Sequence, residues 1–413
     1  MTNKKRKVII FSTAYLPFVG GAEVAVKEIT DRLENYADDE QNKFDFTMVT
    51  ARLKKELLSF ERVGNIDVYR VGIGSFWDKY LLPFLGVFKA LRIKGADNEE
   101  KPIIWAIMAS FGGFGALFLK LLRPKWPFIL TLQEGDSEKH ILKKVGIFYP
   151  VWKMIFKRAD YVQAISEYLK YFAVKYGAKC PIEVVPNGVD FNKFQKAIRQ
   201  SAEQINPEFQ IQDKEKIGIK DNEKIILTVS RLVEKNGIDI LIRAINEFKV
   251  KSYKVHKVRL LIAGEGKEIK KLERLANKLG LENEIIFAGE IKLEEIVEYY
   301  KIADVFARPS RTEGFGNVFI EAMAAGTPVV ATYVGGIKDF LKDGENGLAC
   351  KVDDPKDLAE KINRILEDEN LRRKLIEGGL KTAKKYDWEN IAKRMGGILN
   401  EATCQINLTR QDN

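Results

Sequence analysis

A rhythm of short β-branched runs separated by longer helical patterns most restricts the folds open to this chain. In the first half the runs are Lys7 to Ser12, Phe44 to Thr50, Ile66 to Val71, Ile103 to Ala109, Phe128 to Leu132, Tyr161 to Ile165 and Ile182 to Val185. Helical segments such as Ala22 to Tyr36 and Gly113 to Leu122 lie between them. The rhythm restarts with Ile225 to Val229, Arg259 to Ala263, Glu284 to Phe287, Val305 to Ala307 and Val329 to Ala331, each followed by a helical stretch. That alternation predicts an α/β protein whose parallel, doubly wound sheets are covered by helices on both faces.

At 413 residues with 46% hydrophobic content, the chain exceeds one ordinary domain and can fill two cores. The join is the turn cluster Pro186-Asn187-Gly188-Val189-Asp190, after which the sequence runs polar and charge-rich to the next strand. The expected division is a first domain at 1–190, a linker at 191–219 and a second domain at 220–385. Residues 386–413 follow, with the helical stretch Trp388 to Glu401 returning to the first domain.

Several classes fall away. No apolar run reaches 18 residues, so no membrane span is expected. Lys4-Lys5-Arg6-Lys7 before Val8-Ile9-Ile10-Phe11 reads as the approach to a buried strand rather than a signal peptide, because the apolar run stops at Tyr15-Leu16-Pro17. Cys180, Cys350 and Cys404 are isolated and read as thiols in a reducing compartment, which points to the cytoplasm. With only His140 and His256, a histidine metal site or a histidine-centred triad is not expected. The net charge of +10 is uneven: residues 1–190 hold 29 Lys and Arg against 22 Asp and Glu. Basic-aromatic motifs of RNA or DNA modules are lacking, so nucleic acid is the least favoured partner.

Five segments fall just beyond the carboxyl ends of strands, where doubly wound folds bind ligands. Pro17 to Glu23 carries Gly20 and Gly21 at the start of a helix, placed to set N–H groups against a diphosphate. Thr228 to Asp239 carries Ser230, Arg231 and Lys235, two cations suited to a leaving diphosphate that gains charge as its bond breaks. Ile262 to Gly266, with Gly264, and Phe287 to Ile291 are glycine turns that fit the edge of a bound nucleotide, or simply turns. The fifth runs from Ser310 to Val330 and sets Glu313 eight residues before Glu321, with Gly314 and Gly316 between them. Carboxylates on either side of a helix start suit a ligand with both hydroxyls and phosphates. Gly112-Gly113-Phe114-Gly115 has the wrong spacing for a dinucleotide fingerprint.

The motifs Pro17-x-x-Gly-Gly-x-Glu23, Pro186 to Asp190, Ser230 to Asp239 and Glu313 to Val330 follow one another in a familiar order. Together they resemble the family-4 retaining glycosyltransferases of the GT-B fold, over nearly the whole chain. The resemblance implies two Rossmann-like domains facing across a cleft and a nucleotide-sugar donor held mainly by the second. It gives Glu321 the ribose hydroxyls and Glu313 the sugar hydroxyls. Backbone groups of Phe315, Gly316, Asn317 and Val318 lie alongside. Arg231 and a lysine neutralise the diphosphate, over which Gly20 and Gly21 close. Gly264 and Ile291 join the donor set, and Asn187 is assigned to the acceptor. It further implies a metal-independent hexosyl transfer with no cofactor beyond the donor, to a polysaccharide or lipid-linked glycan.

Two positions depart from that pattern. Asn236 stands where the family's lysine directly precedes the glycine, leaving Lys235 one place early. Gln133, in Thr131 to Asp136, takes the place of a histidine and cannot carry a titrating proton. A catalytically impaired nucleotide-sugar-binding protein is therefore the alternative, and a two-domain isomerase of nucleotide sugars is a more distant one. In the acceptor-side half, Trp77, Tyr80, Leu81, Leu82, Phe84, Leu85, Val87 and Phe88 stand near Lys79, Lys89, Arg92 and Lys94. That composition suits transient contact with the inner face of a membrane, or a helix packed on its sheet.

Overall fold

A computed structural model describes residues 5–35, 44–93, 101–196, 219–220, 223–250, 257–292 and 295–408. The chain forms two compact units, one comprising Met1–Asn187 with Trp388–Asn413 and the other Gly188–Asp387.

The first unit contains, in order, β1 (Arg6–Phe11), α1 (Gly21–Asn35), β2 (Phe44–Ala51), β3 (Phe60–Val63), β4 (Ile66–Val71), α2 (Asp78–Leu91), β5 (Ile103–Ile107) and α3 (Phe111–Leu122). It continues with β6 (Phe128–Leu132), α4 (Glu138–Val145), α5 (Tyr149–Arg158), β7 (Tyr161–Ala164), α6 (Glu167–Lys175) and β8 (Ile182–Val184). The strands line up as β3-β4-β2-β1-β5-β6-β7-β8. Every pairing is parallel except β3 with β4. Val8 sits between Phe46 and Ile103, and in the next row, which faces the other way, Ile9 sits between Thr47 and Ile104; all six are buried, as a parallel sheet covered by helices on both faces requires. The sequence rhythm missed β3. Its four residues are half or fully exposed and pair antiparallel through a Gly64-Asn65 turn, so they form no buried apolar run.

The second unit contains β9 (Lys224–Val229), α7 (Ile238–Val250), β10 (Val258–Ala263), α8 (Ile269–Lys278), β11 (Ile285–Gly289), α9 (Ile296–Ile302) and β12 (Val305–Arg308). After these come α10 (Asn317–Ala324), β13 (Val329–Thr332), β14 (Leu348–Cys350), α11 (Pro355–Glu367) and α12 (Glu369–Lys385). Its sheet is fully parallel with order β11-β10-β9-β12-β13-β14. The order reverses between β9 and β12. That reversal opens a crevice beyond the carboxyl ends of these two strands. The three-residue edge strand β14 was not foreseen.

The remaining helix, α13 (Trp388–Leu408), packs on α1 in the first unit. Trp388, Ile391, Met395, Ile398 and Ala402 recur at helical spacing and are buried in the cluster that holds Ala25, Val26, Ile29 and Leu33. Fully burying a large apolar side chain contributes about 1.5–3 kcal/mol, so this stripe is enough to fix the helix to the sheet. Arg32 with Glu389 at 3.1 Å and Arg394 with Glu183 at 2.8 Å flank it. The unit boundaries at Asn187 and Asp387 fall a few residues from those expected. Of the expected linker, residues 191–196 are helical within the second unit, and 197–218 lie outside the described residues.

Candidate active site

In the second unit the strand ends are tied together beyond the sheet. Ser230 N–H donates to the Ala263 carbonyl at 2.9 Å, Leu232 N–H to the Glu265 carbonyl at 2.8 Å and Gly264 N–H to the Gly289 carbonyl at 2.6 Å. Gly264 sits at φ +131°, and a Cβ there would stand 2.0 Å from the Ser230 carbonyl oxygen. The close approach of backbone alone therefore demands a glycine. Ile291 follows the β11 turn and is half-buried at the sheet's edge.

Arg231 is exposed at the end of β9, and Lys235 is half-buried in a 3₁₀ turn at Glu234–Asn236. Asn236 is buried, with its amide donating to Ser230 Oγ and to the Arg231 carbonyl, each at 2.7 Å. The asparagine thus pins the loop that carries both cations. Arg311 couples that loop to the next strand end. Its guanidinium grips Asp239 at 3.0 and 2.8 Å and Asp353 at 2.7 Å, while its N–H donates to the Lys235 carbonyl at 2.7 Å. Two-pronged arginine contacts of this kind fix geometry as well as adding energy.

At the end of β12, Arg308 is buried, donates to Ser310 Oγ at 3.1 Å and lies 4.8 Å from the Phe319 ring centroid. Its other arm pairs with Glu313 Oε2, while Glu313 Oε1 accepts from Gly314 N–H at 3.1 Å. Behind the loop, Gly336 N–H donates to the Glu313 carbonyl at 3.1 Å. A Cβ on Gly335, at φ +50°, would stand 1.9 Å from that carbonyl oxygen. Gly316, in the left-handed region, then caps α10 with no side-chain hydrogen bond. The positive end of the helix is left for an outside acceptor. Asn317 and Val318 are half-buried at that end. The Phe315 side chain is core, against Phe340 and Tyr386, so only its backbone is on offer.

Glu321, half-buried on α10, accepts a hydrogen bond from Tyr300 Oη at 2.8 Å. Burial pushes its pKa up, against the opposing effects of the Tyr300 hydroxyl, Arg308 and Lys193. Burial raises the Tyr300 hydroxyl well above its ordinary value too, and Glu321 adds to the effect.

Within the first unit, Gly20 and Gly21 stand at the start of α1, with Gly21 exposed. Asn187 is buried and donates its amide to Gln133 Oε1 at 3.0 Å, so these two expected site residues meet. Beside Gln133, Glu134 Oε1 accepts from Ala109 N–H at 2.7 Å. Its Oε2 is shielded from solvent and has no hydrogen-bond partner among the described residues. Burial pushes this carboxyl up to about 7 despite the lowering effect of the Ala109 amide. The Gly112–Gly115 run, set aside as a nucleotide motif, lets α3 pack on β1: a Cβ on Gly112 would meet the Phe11 carbonyl oxygen at 2.9 Å.

Known proteins match both halves of this arrangement. The family described as Glycosyltransferase Family 4 matches residues 19–193, and that described as Glycosyl transferases group 1 matches residues 209–382. An uncharacterized glycosyltransferase of Methanocaldococcus jannaschii is 37% identical over 404 residues, 94% of this chain and 96% of that protein. The chain belongs to the family-4, group 1 glycosyltransferases. The D-inositol 3-phosphate glycosyltransferase of Acidothermus cellulolyticus is 33% identical to this glycosyltransferase, over 94% of this chain and 86% of that one. Among solved structures, sucrose-phosphate synthase of Thermosynechococcus elongatus superposes with a TM-score of 0.78 at 22% identity, covering 97% and 100% of the two chains. Anabaena HepE, solved with UDP-glucose, gives 0.75 at 21% identity, covering 96% and 99%. The fold is therefore GT-B.

Four groups around the site escaped the sequence reading: Arg308, Arg311, Tyr300 and Gly335. The first was signalled by a lone cation at the end of an otherwise apolar strand, and the last by the pair Gly335-Gly336 after β13. Tyr300 lies 21 residues from its carboxylate partner and gave no signal.

Proposed function

We propose that this glycosyltransferase moves a hexose from a nucleoside-diphosphate sugar to a polysaccharide or lipid-linked glycan, with retention and without a resident metal. The observation that carries the reading is what gathers beyond β9 and β12: an uncapped helix start, two carboxylates and an exposed arginine. A helix start with free N–H groups attracts a diphosphate, and carboxylates accept from sugar and ribose hydroxyls. In this reading Glu321 takes the ribose, Glu313 the donor sugar, and Arg231 with Lys235 the diphosphate. Ser230, Gly264, Ile291 and the Phe315–Val318 backbone frame the nucleotide. Gly20, Gly21, Gln133 and Asn187 serve from the first unit. HepE, solved with UDP-glucose, supports a uridine nucleotide as the first donor to try.

Transfer breaks the bond from the anomeric carbon to the diphosphate oxygen, whose electron pair leaves with the diphosphate. The acceptor hydroxyl oxygen bonds to the same face of that carbon, and its proton passes to the departing phosphate. Preformed cations and N–H groups stabilise the charge that develops. We place the protein in the cytoplasm, peripheral at the inner face of a membrane.

Asn236 favours a second reading, a binding protein with impaired turnover, because its amide occupies Ser230 and Arg231 in place of a lysine. Thermal-shift screening with UDP, GDP and ADP sugars, followed by product analysis, separates the two. Transfer lost in Glu313→Ala and Arg231→Ala supports the enzyme; binding without turnover supports the second reading. No stabilisation by any nucleotide refutes both.

A further inference from the structure

The sequence left open whether the aromatic stretch around α2 packs inward or faces a lipid surface. The helix does both. Leu82, Val87 and Ala90 are buried against the sheet and α3. Trp77, Tyr80, Phe84 and Phe88, spaced three or four residues apart, run along the opposite side with 68%, 49%, 59% and 63% of their surface exposed. Surface helices of water-soluble proteins ordinarily turn charge outward, and here the outward side is apolar instead.

On α2 itself the exposed charge has one sign. Asp78, the sole acid on α2, is buried and accepts from the Gly74 and Ser75 N–H groups at 2.8 and 3.0 Å. The cations Lys79 and Lys89 lie over aromatic rings, with Nζ 3.3 Å from the Phe76 centroid and 3.6 Å from that of Tyr69. On α4, Lys144 pairs with Asp136 at 3.2 Å and leaves 65% of its side chain exposed. The turn after α4 presents a second apolar tip, Ile147 at 89% and Phe148 at 61% exposure. Lys94, also part of the stretch, lies outside the described residues. Among the described residues no helix is long and apolar enough to cross a membrane.

We propose that the outer side of α2, with the Ile147–Phe148 tip, is a docking face for an anionic lipid bilayer. Aromatic side chains enter the headgroup boundary, and Lys79, Lys89 and Lys144 meet the lipid phosphates. The same layer would present a lipid-linked acceptor to the first unit. A cationic rim with no exposed acid on the helix argues for an anionic surface over a second, equally basic copy of this chain. The inference rests on the membrane-surface part of the proposed function and not on sugar transfer.

Flotation of the full chain tests it, using phosphatidylcholine vesicles carrying about one-third phosphatidylglycerol, at low and high salt. The expected result is binding at low salt that weakens as salt rises and is absent on phosphatidylcholine alone. Trp77→Ser/Phe84→Ser/Phe88→Ser should reduce the bound fraction roughly tenfold or more. Lys79→Glu/Lys144→Glu should remove the preference for anionic vesicles; both variants should keep the wild-type thermal shift with nucleotide, which reports their folding. Wild type that stays unbound at low salt, a serine variant that floats like wild type, or a dimer that the serine variant dissolves would each overturn the proposal. Flotation without any nucleotide-induced shift would leave the docking face standing and remove the transferase reading.

Discussion

Replacing Glu134 by glutamine isolates one titrating group at the rim of the first sheet. The carboxyl moves from an ordinary 4.5 up to about 7 because burial disfavours its charge, and Oε2 has no donor to offset that. Between those two values the folded state holds a proton that the unfolded chain has released. The contribution of Glu134 to stability is therefore greatest at acid pH, falls as pH rises through this window and levels off above about 7. Integrating from pH 5 to pH 8 gives a loss of about 2.5 kcal/mol, at 1.36 kcal/mol per unit. Glu134→Gln keeps the acceptor for Ala109 N–H and carries no charge. Its amide gains an unpaired N–H at a fixed cost of about 1–3 kcal/mol, which does not vary with pH.

The useful quantity is thus the difference between wild type and variant as a function of pH. All five tryptophans, Trp77, Trp105, Trp126, Trp152 and Trp388, lie in the first unit, so their fluorescence in urea follows that unit's unfolding. The expected stability of wild type relative to variant falls by about 2.5 kcal/mol from pH 5 to pH 8. A difference that stays flat across this range would refute the reasoning, since it would mean that Glu134 ionises without penalty where it lies.

The second unit gives three further expectations. Tyr300→Phe removes the hydroxyl that donates to Glu321, so stability at pH 8 should fall by about 1.5–3 kcal/mol and calorimetry should show weaker nucleotide binding. Gly335→Ala forces a methyl group against the Glu313 carbonyl; donor affinity should fall roughly tenfold or more while the tryptophan transition of the first unit is unchanged. Arg311→Lys loses the two-pronged hold on Asp239 and should destabilise the second unit by about 1–2 kcal/mol, read by circular dichroism at the non-tryptophan transition.

These positions also mark where the sequence could be read and where it was silent. Phe128–Leu132 was read to the residue because a parallel strand buried on both faces must carry its apolar requirement in its own letters, and Ile66–Val71 because buried and half-buried residues alternate along it. The exposed edge strand β3 has no such requirement and left no mark. The candidate site divides in the same way. Glu313, Gly316 and Glu321 were legible because the helix start that joins them is local in sequence. Arg311 with Asp239, Tyr300 with Glu321 and Gly335 with Glu313 were not, because each pair joins residues of different elements that only the folded second unit brings together. Asn236 joins the two cases. The sequence marked it as a missing lysine, whereas its amide is a working part of the loop, held on Ser230 and Arg231. A lysine restored there would have to leave those two acceptors. Asn236→Lys should therefore free the Arg231 loop before it supplies any charge, and a gain in turnover from that change would show that charge, not loop position, limits the reaction.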